Sequence, residues 1–175
     1  MAGAHFVMRQ EGARDRHLDV TLIRVAKRFE HVDVLHELLL GRSHAISHKS
    51  MPTFRQHKAF VFSHPYRIWY LIKAEEGYVG SIYLMKNNTI GVSAAKGAER
   101  YMKPAIERLV RKHKPLPAVR SVRGPDFDFN VLPSNKKLIS ILQSMGAHLA
   151  QITYELKAAE CRNKTPPRGR ARPGK

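Results

Sequence analysis

Five side chains in this sequence have the types and settings to move protons near neutral pH: His44, His48, Asp126, Asp128 and Tyr154. His44 and His48 lie in a polar stretch, residues 42–52, that also carries Ser43, Ser47 and Ser50. An imidazole titrates near pH 6.5, so its neutral form can take a proton from a nucleophile; a solvated loop is the plainer place for such a pair. Asp126 and Asp128 flank Phe127 in a segment of extended pattern, and Tyr154 stands in an apolar run where a phenol either donates a proton or packs. A second group is cationic. Lys96, Arg100 and Lys103 surround Gly97 where an extended segment gives way to a helical one, a setting in which backbone N–H groups and positive charge together suit a phosphate. His44, His48, His57 and His64 are scattered and no cysteine pair accompanies them, so they read as surface polar residues and no metal site is expected.

The elements that must position these residues follow from periodicity and turn chemistry. Residues 19–25 make a short β-rich run. Residues 30–40 place Val32, Leu35, Leu38 and Leu39 at helical spacing before Gly41, and Thr53 can cap a second helix to Ser63 with Phe54, Phe60 and Val61 as its apolar stripe. Residues 68–72, 78–85 and 89–94 read as three antiparallel strands joined by turns at 74–77 and 86–88. Residues 102–113 return to helical spacing through Ile106, Leu109 and Val110, with Pro104 tolerable in the first turn. Two extended pieces are expected within 119–131, a helix capped by Ser134 and ended by Gly146, and a last strand over 147–156. The expected organisation is a loose leader (1–17), one domain (18–157) and a disordered basic tail (158–175).

This order resembles the GNAT acyltransferase superfamily, and the likeness sharpens at Asn130-Val131-Leu132-Pro133-Ser134-Asn135 followed by a helix to Met145-Gly146. In that superfamily a strand leads into an asparagine, a helix and a glycine, a spacing that Asn135 and Gly146 fit. Val79-Gly80-Ser81-Ile82 and Ile90-Gly91-Val92 look like its central strands, and the resemblance spans residues 19–157. It implies a mixed α/β (α+β) fold with a mostly antiparallel central sheet flanked by about four helices. It also implies an acyl-CoA donor such as acetyl-CoA, held by backbone groups of Val92, Ser93 and Ala94, by the loop residues Lys96, Gly97, Arg100, Tyr101 and Met102, and by Asn135. Around Ser47, His57 and Trp69-Tyr70 the chain is similar to members that acylate amino groups of nucleotide-linked sugars. It departs from the family in its phosphate loop, where Gly97 stands with Arg100 and Met102 in place of further glycines. It departs again at the usual glutamate and tyrosine, whose places fall on Thr89 and Leu142.

Charge then narrows the partner. The chain has 31 Lys plus Arg against 14 Asp plus Glu, net +17, and most of the excess lies between the leader and the tail. Such a field concentrates anions, so the expected acceptor is a primary amine on an anionic molecule: a base in DNA or RNA, or a nucleotide-linked amino sugar. The other reading is a GNAT-like module that binds nucleic acid or protein without chemistry. One cysteine and no run of about 18 apolar residues fit a cytoplasmic protein with no membrane partner. The oligomeric state is not readable from sequence.

Overall fold

The computed structural model describes residues 18–41 and 51–154. Its sheet has five strands in the order β1-β2-β3-β4-β5: β1 Thr21–Arg24, β2 Ile68–Ala74, β3 Gly77–Leu84, β4 Thr89–Ala94 and β5 Asp128–Phe129. The first four pair antiparallel, and β5 joins β4 in parallel. Helices α1 Phe29–Leu40 and α2 Phe54–Ser63 precede the central strands; α3 Met102–Lys112 and α4 Lys136–Ser144 follow them.

Period-two alternation divides the core into two layers. Trp69 and Leu71 of β2 pack with Val32 and Leu35 of α1 and Val61 of α2. Tyr70 and Ile72 point the other way, joining Ile82, Leu84 and Ile90 beneath Ala105, Ile106 and Leu109 of α3 and Leu138 and Leu142 of α4. Because β2 is covered on both faces, its sequence is an almost unbroken apolar run. Pro104 lies in the first turn of α3, where its missing N–H costs no helical bond, and the 3-10 turn Glu99–Tyr101 runs directly into that helix.

Five expectations are corrected. On α2 the buried residues are His57 and Val61, while Phe54 and Phe60 are only partly covered, 44% and 38% exposed. His57 donates from Nε2 to the Val32 carbonyl at 3.1 Å, so it is a core histidine that ties α2 to α1. The helix α4 is capped by Asn135 rather than Ser134, since the Asn135 carboxamide oxygen accepts from the Leu138 N–H. Of the extended pieces in 119–131, only a bridge between Val119 and Arg123 and the two-residue β5 form. Arg123 and Asn88 draw that stretch into a loop instead: Arg123 donates to the Pro117 and Lys86 carbonyls. Residues 147–154 form no strand, and Leu149, Ile152 and Tyr154 are exposed. With only two residues, β5 offers too short a ladder to recruit another strand.

Asn88 is the residue that fixes this end of the sheet. It is fully buried, with a left-handed φ of 71° in the β3–β4 turn. Its Nδ2 donates to the carbonyls of Leu116 and Gly124, its Oδ1 accepts from the Leu116 N–H, and its own carbonyl accepts from the Asp128 N–H at the start of β5. Asn88→Ala leaves those groups unserved and strains the backbone, and is expected to lower the unfolding free energy by about 3 kcal/mol, read from the urea midpoint.

Burial holds the His57 pKa below its ordinary 6.5, with His36 adding in the same direction against the Val32 carbonyl; burial lowers those of His64 and His113 too. As the pH falls through 6.5, the unfolded chain takes up these protons before the folded one does, so stability is present above that value and is lost on acidification. A His57→Gln variant, which keeps a donor for Val32, is expected to lose less stability than the wild type between about pH 7 and pH 5, by urea unfolding at each pH.

Candidate functional site

The parallel ladder between β4 and β5 contains two pairs, Thr89 with Asp128 and Ile90 with Phe129. Beyond Ile90, among the described residues, no strand lies against that edge of β4, so the sheet forks. Which backbone groups face the fork follows from the other edge. The Met85 N–H donates to the Thr89 carbonyl and the Ala95 N–H to the Val79 carbonyl. Antiparallel bonding alternates, so Gly91 and Ser93 are the residues that bond β3, and the N–H and C=O groups of Val92 and Ala94 point into the fork.

Side chains divide by the same parity. Ile90, Val92 and Ala94 pack on the α3/α4 layer. On the α1/α2 face, Ser93 Oγ lies 3.3 Å from Ser81 Oγ, and Gly91 lies beneath the ring of Tyr83, its cross-strand partner. A Cβ at position 91 would overlap Cζ, Oη and Cε1 of that ring, so a glycine is required. Asp128 shares this face through its register with Thr89.

The open end of the fork leads into the loop before α3. Gly97 has a φ of +86°, and its N–H donates to Glu99 Oε1 at 3.3 Å. The other Glu99 oxygen accepts from Lys137 Nζ of α4 at 3.1 Å. Its own backbone N–H, and next Lys137, hold the Glu99 carboxyl below the usual carboxylate range. This acidic side chain therefore occupies the Gly97 N–H and neutralises Lys137 beside it. Arg100 and Tyr101 turn away toward the β2–β3 turn, both donating to Glu76 Oε1, at 2.8 and 2.5 Å. The Glu76 carboxyl is lowered, foremost by Tyr101. Met102 is buried in the core.

The expected site residues thus divide. Val92, Ser93, Ala94 and Asp128 gather at the fork, and Lys96 and Gly97 lie on the loop at its open end. Arg100, Tyr101 and Met102 are engaged elsewhere, and the Asn135 oxygen is committed to its cap. Asp126 is exposed ahead of β5, Tyr154 is exposed beyond α4, and His44 and His48 lie outside the described residues. The sequence reading missed Tyr83, Glu99 and Lys137. Only the first left a local signal, a tyrosine in register with a glycine across a turn of known length. Two open clefts run along β1, one lined by Arg108, Arg111 and Lys112, the other by Lys73, Arg100 and Tyr101 among others; β4 and β5 line neither.

The mixed α+β architecture, a mostly antiparallel five-stranded sheet with four helices, is a GNAT-like fold. Among solved structures it is similar to one described as "a possible acetyltransferase from Clostridium difficile 630", with a TM-score of 0.51 and 12% identity over 79% of this chain and 97% of that one. It is also similar to an integron cassette protein from the mobile metagenome of V. cholerae, with a TM-score of 0.50 and 12% identity over 83% of this chain and 98% of the other. No family model and no curated protein matches the sequence.

Glu99→Gln removes the charge that competes at Gly97 and releases Lys137. Its affinity for inorganic pyrophosphate is expected to exceed that of the wild type by about tenfold, the scale of one charge-assisted hydrogen bond, by calorimetry.

Proposed function

We propose that the protein transfers an acyl group, acetyl in the simplest case, from acyl-CoA to a primary amine on an anionic acceptor. The observation that carries this reading is the fork: a β4 edge whose Val92 and Ala94 backbone groups have no strand opposite them among the described residues. The two amides of a pantetheine arm can add to such an edge much as an extended peptide does. At the open end Gly97, Lys96 and Lys103 are available to the diphosphate once Glu99 moves aside. Attack by the amine on the thioester within one ternary complex then needs alignment and a proton acceptor. Asp128 is the favoured acceptor because it shares the fork's polar face; Asp126, His44 and His48 are alternatives. The net charge of +17 supports an acceptor carrying phosphate, such as a nucleic-acid base or a nucleotide-linked sugar, and a cytoplasmic setting suits either.

One observation favours a second reading, a GNAT-like module that binds nucleic acid or protein without catalysis: the loop's anion position holds the chain's own carboxylate. Calorimetry with acetyl-CoA separates the two. Saturable one-site binding below about millimolar, with a rise in melting temperature, is expected. A flat titration, together with DNA or RNA binding that weakens steeply with salt, would instead select the binding module.

A further inference from the structure

We propose that the outer edge of β1 receives an extended acidic segment of another protein, added as a further strand beside Arg108, Arg111 and Lys112 of α3. This surface lies at the opposite side of the sheet from the fork, and it does not depend on the donor reading. The first observation is backbone polarity. The Val25 N–H donates to the Trp69 carbonyl at 2.9 Å, and β1 runs on in antiparallel register with β2, back to Thr21 opposite Lys73. Antiparallel bonding alternates, so Thr21 and Ile23 bond β2. The N–H and C=O groups of Leu22 and Arg24 point outward, where no strand lies among the described residues. Donors and acceptors in that alternation are what an extended peptide completes.

The second is charge. Between this edge and α3 runs an open cleft of about 550 Å³, lined by Thr21, Leu22, Arg108, Arg111 and Lys112. Leu22 packs on the α3 layer, and Arg24, two residues on and exposed, shares that side of the strand. Cations crowd the end of the helix as well. His113 Nε2 lies 2.9 Å from the hydroxyl of Tyr70, the residue in register with Arg24. Burial, and then the charges of Arg67 and Lys112, hold the His113 pKa below its ordinary 6.5. Two carboxylates answer this field, Asp19 on Arg108 and Glu107 on Arg111 at 3.9 Å. Both pairs are exposed, so exchanging either for an incoming carboxylate costs little.

The third observation separates the occupants. Among the described residues no aromatic ring lines the cleft, so unstacked bases find no platform there. The outward carbonyls of Leu22 and Arg24 would also face the oxygens of a phosphodiester, whereas a peptide brings an N–H to each. A second copy of this chain carries the same net +17 and is repelled, as charged edges repel their like. Side chains of an added strand alternate, so every second one meets α3. Acidic residues two apart are therefore the pattern this surface selects.

The test measures binding of the full chain to a fluorescein-labelled peptide of about ten residues alternating Glu and Val, by fluorescence anisotropy at about 0.05 M salt. Two further peptides carry N-methyl groups on every second amide, one in each frame, with charge unchanged. In an added strand one frame faces β1 and the other faces solvent. Expected are saturable binding with a dissociation constant on the order of 10 μM, a loss of about tenfold or more for one methylated frame, and a change within about twofold for the other. Arg111→Glu combined with Lys112→Glu, both at exposed positions, is expected to weaken binding at least tenfold with the urea midpoint unchanged. Failure of the unmodified peptide to bind overturns the proposal. Equal effects of the two methylated frames overturn it too, because charge alone is then being read; this comparison needs no variant to fold. A single-stranded oligodeoxynucleotide that displaces the peptide, and whose binding is lost in the double variant, assigns the surface to nucleic acid and overturns the proposal as well.

Discussion

A single carboxamide, buried and held in a left-handed turn, ties together three stretches of chain that are distant in sequence. Asn88 binds the backbone on both sides of the loop from Leu116 to Gly124 and receives the first N–H of β5 on its own carbonyl. Because the clamp acts only at the start of β4, it zips the two parallel strands at one end and leaves the other end to diverge. The fork is the geometric result of one strong anchor followed by a strand too short to continue the ladder. Without the anchor, β5 would keep two residues of pairing and the packing of Phe127 and Phe129 on the core to hold it beside β4.

The two faces of the forked strand serve different ends. The α3/α4 face is dry and apolar, and it supplies the rigidity that keeps Val92 and Ala94 in place. The α1/α2 face carries hydroxyls and an aromatic stack, with Ser81, Ser93, Tyr83 and Tyr66 in sequence along it. Charge is arranged with equal economy. Glu76 and Glu99 each gather cations and N–H donors around the loop before α3, so a basic chain presents a locally neutralised loop. Any anion brought to that loop would have to take over donors already in use, since little bare positive charge is left there.

Much of this was legible from residue order. Apolar runs broken by Glu75-Glu76-Gly77 and Lys86-Asn87-Asn88 pointed to the β2–β4 meander, and the spacing of Ile106, Leu109 and Val110 to α3. Those signals are local, as are caps and turns. What stayed hidden depends on partners far along the chain. Glu99 meets Lys137 across 38 positions, and His57 reaches Val32 across 25, so neither pairing has a sequence signature. The alternation in 147–154 reads as a strand only if an edge exists to receive it, and two residues of β5 do not make one. Extended patterning is a request for a neighbour, and the request goes unmet here.

Strand parity leaves one more mark. Along β4, even-numbered positions give main-chain polarity to the fork and apolar side chains to the core, while odd-numbered positions bond β3 and carry the opposite surface. The strand works like a reading frame of period two. One residue inserted after Ile90 would turn every later position over, send the Ser93 hydroxyl into hydrocarbon and carry Gly91 out from under its ring, whereas two inserted residues would restore the frame and lengthen the slot.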